Sequence, residues 1–216
     1  MNDHRGWLLD LYTDETDGLV LWLLDEDGSR RRLTQYFPIT FYAAGSFPRL
    51  RELWRFLRVQ PVPVQLARTR REDVFTGEID VLATTVLNPA LQPHLFHQVA
   101  RQFPDLAYYD ADIPITLRYA AVTQVTPLCH CTVEADGNGR IHAVTPLESR
   151  WDVYPNQPPL RILPIEPECD PAHREPAFLW LDDGNSRRKL PLRPDRLLLA
   201  SLNATIQRVD PDIILT

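Results

Sequence analysis

Cysteine is scarce in this sequence, with 3 in 216 residues. A small, odd number excludes a disulfide-stapled scaffold. Long apolar runs are missing as well. No window reaches the ~18 uninterrupted apolar residues of a membrane helix. The opening Met1-Asn2-Asp3-His4-Arg5 lacks the apolar stretch of a secretory leader. A soluble, cytoplasmic protein with no membrane partner is expected. Glycine numbers only 8, and no glycine-rich phosphate loop, nucleophile elbow or His-Glu-x-x-His helix occurs. Lysine is nearly absent: Lys189 is the one lysine among 23 basic residues, and the rest are arginine. Basic charge is also outweighed, for 29 carboxylates leave a net charge of −6. A dedicated nucleic-acid binder carries a basic excess. An acidic piece of a larger basic enzyme fits this balance.

What is present is enough for a real core, since 44% of the residues are apolar. Trp7 to Tyr12 and Leu19 to Leu24 flank the turn residues Asp14-Glu15-Thr16-Asp17-Gly18 and read as a hairpin. Asp25-Glu26-Asp27-Gly28 turns the chain again into Arg31 to Tyr36, with Thr40 to Ala43 extending that third strand past Pro38. This is an antiparallel strand meander. From Phe47 the period becomes helical, with Leu50, Leu53, Trp54 and Leu57 on one face. Strands follow at Val62 to Thr69 and Ile79 to Leu87, then a helix from Ala90 to Gln102. That order is a split βαβ layout. A short helix through Tyr119 and a hairpin of Leu128 to Glu134 with Ile141 to Thr145 complete residues 1–150. A proline-rich stretch from Trp151 to Pro159 marks a domain boundary, and 151–216 forms the second domain. Its strands are Leu160 to Ile165, Ala177 to Leu181 and Lys189 to Leu192. Its helix is Asp195 to Arg208, and a buried strand, Ile213 to Thr216, comes last. A chain stopping inside such a strand is expected to be part of a longer protein. The fold class is α+β.

Several residues carry chemistry on their own. Cys129 and Cys131 share one face of a strand, but no second pair follows at zinc-finger spacing, so small core residues are expected. His94 and His97 lie at i, i+3 on a helix without a nearby carboxylate. Arginine clusters occur at Arg30-Arg31-Arg32, at Arg68, Arg70 and Arg71, and at Arg187-Arg188-Lys189. Arg68, Arg70 and Arg71 suit phosphate contacts, while Tyr36, Phe37, Phe41 and Tyr42 suit base stacking. Asp110 and Asp112 are expected to cap the helix that follows, with Arg118 paired to one of them.

Three stretches resemble family B DNA polymerases in the right order: Tyr109 to Tyr119 (YDADIPITLRY), Leu160 to Cys169 (LRILPIEPEC) and Leu197 to Thr216. The resemblance implies an N-terminal domain at 1–150, then at 151–216 the truncated beginning of a ribonuclease H-like 3′–5′ exonuclease domain. In the full-length protein it implies DNA-directed DNA synthesis, with Mg2+ or Mn2+ as cofactor. Its partners are DNA, as primer-template or single strand, and the remainder of the polymerase chain. The fragment itself is expected to hold no cofactor, to have no activity, and to contribute DNA binding and scaffolding. Nucleic-acid contacts are expected at Arg68, Arg70, Arg71, Arg118 and Tyr119. The family's Asp-x-Glu metal motif falls on Glu166 and Glu168. The first carboxylate is one methylene too long, and Pro164 and Pro167 break the strand. The exonuclease motif is therefore expected to be degenerate. A freestanding nucleic-acid-binding or scaffold module derived from the same domain is the alternative.

Overall fold

The computed structural model describes residues 2–149 and 151–216. They form two compact units, Met1–Pro158 and Pro159–Thr216. In chain order the first unit comprises β1 (Asn2–Asp14), β2 (Gly18–Asp25), β3 (Arg30–Gln35), β4 (Ile39–Ala44), α1 (Phe47–Arg58), β5 (Val64–Asp73) and β6 (Gly77–Val86). There follow a 3-10 turn (Pro89–Leu91), α2 (Gln92–Gln102), β7 (Ala107–Tyr109), α3 (Ile115–Thr123), β8 (His130–Ala135) and β9 (Arg140–Pro146).

The expected meander is only part of a closed barrel, ordered β1-β2-β3-β9-β8. β9 returns from a hundred residues away and pairs parallel with β3 through Thr34↔Arg140 and Gln35↔Ile141. Nothing local in the sequence announces that closure. Leu8, Leu11, Leu19, Leu21, Leu23 and Leu33 fill the barrel. Leu8 and Leu11 are three apart, which strict strand alternation would send to opposite faces. A bulge between Leu8 and Asp10 restores both to the inside. The turns use aspartate as a local acceptor: Asp14 takes the backbone N–H groups of Thr16 and Asp17 at 2.8 and 2.9 Å. Asp73 and Asp136 do the same for the turns at 73–77 and 136–139.

Thr40 to Ala43 does not extend the third strand. Past Pro38 the chain leaves the barrel, and β4 starts a second sheet, ordered β5-β6-β4-β7. Every neighbouring pair in it is antiparallel. With α1 and α2 this is the split βαβ arrangement read from the sequence. Leu53, Leu57, Leu95 and Val99 of the helices pack on Ile39, Phe41, Ala43, Leu82 and Val86 of one sheet face. Both helices therefore cover that face. The stretch from Leu147 to Pro158 belongs to this unit. The Trp7 indole donates to the Asn156 carbonyl at 2.9 Å and stacks on His130 at 4.7 Å, and Asn156 N–H donates to Glu148.

The second unit contains β10 (Ile162–Pro167), β11 (Phe178–Asp182), β12 (Arg187–Pro191), α4 (Asp195–Val209) and β13 (Ile213–Leu215). Its sheet runs β12-β11-β10-β13, with β13 parallel to β10. Pro164 and Pro167 lie within an inner strand, contrary to the expected break. β10 pairs with β13 only through Ile162 to Pro164, and with β11 only through Ile165 to Pro167. No residue of β10 is registered on both sides, so a missing N–H is tolerated. β13 was expected to be buried, yet Ile214 and Leu215 are exposed.

Candidate nucleic-acid interface

The sheet face opposite the helices is set by alternation. Phe41, Leu82 and Leu66 point to the helices, so their neighbours point away. The resulting face carries Thr40, Tyr42 and Ala44 on β4, Ile79, Val81, Ala83 and Thr85 on β6, Gln65, Ala67, Thr69 and Arg71 on β5, and Tyr109 on β7. Tyr42 and Tyr109 are direct cross-strand partners. Around them lie mainly small side chains, with the buried Val81 between Ala44 and Thr69. The Arg71 guanidinium sits 4.9 Å from the centre of the Tyr42 ring and donates to its hydroxyl at 2.9 Å. Burial and the Asp73 carboxylate push the Tyr109 hydroxyl up from its ordinary range. It is therefore a neutral ring and donor at physiological pH. Two tyrosines on one face of a four-stranded sheet, with a cation beside them, can stack bases and meet phosphate.

Of the five expected contact residues, this face gathers one. Arg71 is exposed on it and, among the described residues, makes no ion pair with a carboxylate. Arg68 and Arg70 lie on the other side of β5. Arg68 pairs with Asp80 at 3.0 Å and sits over Phe47, and Arg70 pairs with Glu78 at 3.1 Å. Arg118 is half-buried and donates to the carbonyls of Ile113 and Thr40 at 3.2 and 3.1 Å, tying α3 to β4. It is a strut between elements. Tyr119 is fully buried in the barrel core, and its hydroxyl donates to Gln35 at 2.9 Å. No base can reach it. Tyr109 was not expected as a contact; alternation along β7, once paired to Tyr42, is the signal that finds it.

Neither aspartate caps α3. Its N-cap is Pro114, with no side-chain cap, and Asp110 sits instead at φ 56° in the turn after β7. Their carboxylates act on Arg118 only through space. Cys131 lies in the barrel core, where burial pushes its thiol up to about 12, and the half-buried Cys129 thiol is raised for the same reason. Protonated thiols are poor metal ligands. His94 is hydrogen-bonded to Gln98. The two outer basic clusters are largely neutralised: Arg31 pairs with Asp25, Arg32 with Asp17, Arg187 with Glu166, Arg188 with Asp183, and Lys189 lies over the Phe178 ring.

Glu166 pairs with Arg187 at 2.9 Å. Glu168, just past the end of β10, takes the Arg174 guanidinium at 2.8 Å and the Ala177 N–H at 3.2 Å. Each carboxylate thus gives one oxygen to an arginine, Glu166 through Oε2 and Glu168 through Oε1. Among the described residues no group of three or more His, Cys, Asp or Glu side chains is placed to hold a metal ion.

No family model matches the chain, and no curated protein matches it. A solved structure does. The family B DNA polymerase from the hyperthermophilic archaeon Pyrobaculum calidifontis superposes with a TM-score of 0.64 at 22% identity, over 97% of this chain and 30% of that one. This chain's fold is similar to the N-terminal part of a family B DNA polymerase. It spans under a third of the polymerase's length. No helix among the described residues is long and apolar enough to cross a membrane.

Proposed function

We propose that this chain is the N-terminal portion of a family B-type DNA polymerase and that it guides single-stranded DNA over the open sheet face through Tyr42, Tyr109 and Arg71. The observation that carries this reading is the extent of the likeness, 97% of the chain in one superposition. Bases stack on the tyrosine rings while Arg71 turns its charge to the phosphates. The second unit supports the start of a ribonuclease H-like exonuclease domain: three antiparallel strands, a helix, then a fourth strand parallel to the first. In this reading Glu166 and Glu168 are a degenerate motif, supported by the arginine that each of them holds. Mg2+ or Mn2+ would be held by carboxylates outside these residues, where nucleotidyl transfer takes place. A cytoplasmic setting follows from that role.

The test is fluorescence anisotropy with a labelled 20-mer of thymidine at low salt. Binding should weaken steeply with salt, and Tyr42→Ala with Arg71→Ala should cost about tenfold or more, the scale of one lost stacking contact. Absence of binding, or an unchanged affinity in the double variant, would sink the DNA-guiding role. Metal-dependent trimming of single strands by the full-length protein, lost in Glu168→Ala, would overturn the inactive exonuclease. A gene whose reading frame stops at codon 216 would favour the freestanding module instead.

A further inference from the structure

β5 is the edge strand of its sheet and, among the described residues, pairs with β6 alone. Alternate backbone N–H and C=O groups from Val64 to Asp73 thus face outward, a template for one more strand. Directly beside this edge, on the helix side, runs a groove along α1. It consists of two cavities of about 400 Å³ each. Phe47, Leu50 and Arg51 line the first, Leu57, Arg58 and Leu66 line the second, and Trp54 is shared by both. The first is walled mainly by ring and aliphatic carbon, with Asp80 taken by Arg68 at its edge; the second sets Trp54, Leu57 and Leu66 against a more polar wall that includes Gln60 and Arg58.

The charge along the α1 rim of this groove is one-sided. Arg51, Arg55 and Arg58 are exposed at i, i+4 and i+7 of α1. Among the described residues none of them makes an ion pair or a side-chain hydrogen bond, whereas Arg49 on the same helix holds Glu52 and Asp105. In a protein with a net charge of −6, a row of arginines without carboxylates is a place prepared for an acidic neighbour.

We propose that the β5 edge and the α1 groove capture an extended, acidic and apolar segment of a partner protein by strand addition. Backbone hydrogen bonds come from β5. Two apolar side chains fill the cavities on either side of Trp54, and acidic side chains meet Arg51 and Arg58. A nucleic acid would leave the β5 edge unused, because it has no backbone N–H and C=O groups to continue the ladder. A second copy of this chain fits poorly too, since two β5 edges would set Arg68, Arg70 and Arg71 against each other. This site lies on the opposite side of the sheet from Tyr42 and Tyr109, so the two proposals stand or fall separately.

The probe is a fluorescein-labelled ten-residue peptide, with leucine and glutamate alternating along one face and serine or threonine on the other. It should bind, the version with lysine for glutamate should not, and Arg51→Glu with Arg58→Glu should weaken binding about tenfold or more by charge reversal. Circular dichroism of the double variant should match that of the parent, which separates lost binding from lost folding. Hydrogen exchange should slow at β5 amides when the peptide is bound. The proposal is overturned if the glutamate and lysine peptides bind alike, if the double variant binds unchanged, or if the peptide protects no β5 amide. Displacement of the peptide by the thymidine 20-mer would assign the groove to nucleic acid instead. A concentration-dependent dimer that excludes the peptide would assign it to a second copy, and either result overturns the acidic partner.

Discussion

Tyr42 and Tyr119 are the same residue type with opposite fates. Both were within reach of a nucleic-acid reading from sequence, Tyr42 as an aromatic for stacking and Tyr119 as a family contact. One lies on the open sheet and the other is sealed in the barrel. Sequence pattern places a residue on a helix face, but which neighbour covers that face is a tertiary fact. Tyr119→Phe removes the hydrogen bond to Gln35 and should cost about 1 kcal/mol, measured by urea unfolding, with DNA affinity unchanged. The turn aspartates give a pH prediction. Donors within their own turns hold Asp14, Asp27, Asp73, Asp136 and Asp183 below the ordinary carboxylate value of 3.8. A depressed folded pKa contributes stability above the unfolded pKa and loses it as pH falls through the folded one. The thermal midpoint should therefore hold down to about pH 4 and then fall as these groups protonate. Asp14→Asn together with Asp136→Asn should flatten that acid limb; an unchanged limb would place the acid sensitivity elsewhere.

Elements whose signal is local were legible. The first hairpin announces itself by apolar strands around Asp and Gly, and α1 by leucines three and four apart. Leu53 and Leu57 of α1 are fully buried against the sheet. Either one replaced by Ala should lose about 2–5 kcal/mol by urea unfolding, while Arg55→Ala on the outer face should change stability little. The barrel closure was not legible, because β9 reaches β3 through two residue pairs far apart in sequence. Nor was the exit at Pro38, which hands Ile39 to Ala44 to a different sheet. Proline misled at β10 for the opposite reason. The rule against it in inner strands assumes a strand paired on both sides at each residue, and this one changes partner midway. At the interface, β-alternation was readable, but the register that brings Tyr109 beside Tyr42 was not.

The whole molecule divides at Pro158 and Pro159, and the two units differ in depth of core. The first holds two clusters of buried side chains. The second has Leu163 and Leu181 as its buried apolar residues, and α4 buries none, leaving Leu197 and Leu199 exposed. A domain of about sixty residues hides only about 60% of its chain's surface. Residues 1–158 expressed alone should melt cooperatively in calorimetry, whereas 159–216 alone should show no sharp transition. A cooperative melt of the short piece would overturn this division of stability. One earlier detail decides where a protease enters the folded protein. β5 and β6 run on for four residue pairs after β4 has ended, and Val74 and Phe75 at the tip are 92% and 94% exposed. Chymotrypsin should cut first after Phe75. The ten registered pairs from Val64↔Val86 to Asp73↔Gly77 would keep the two fragments together, as a nicked protein that runs as one species in native gels and as two under denaturation.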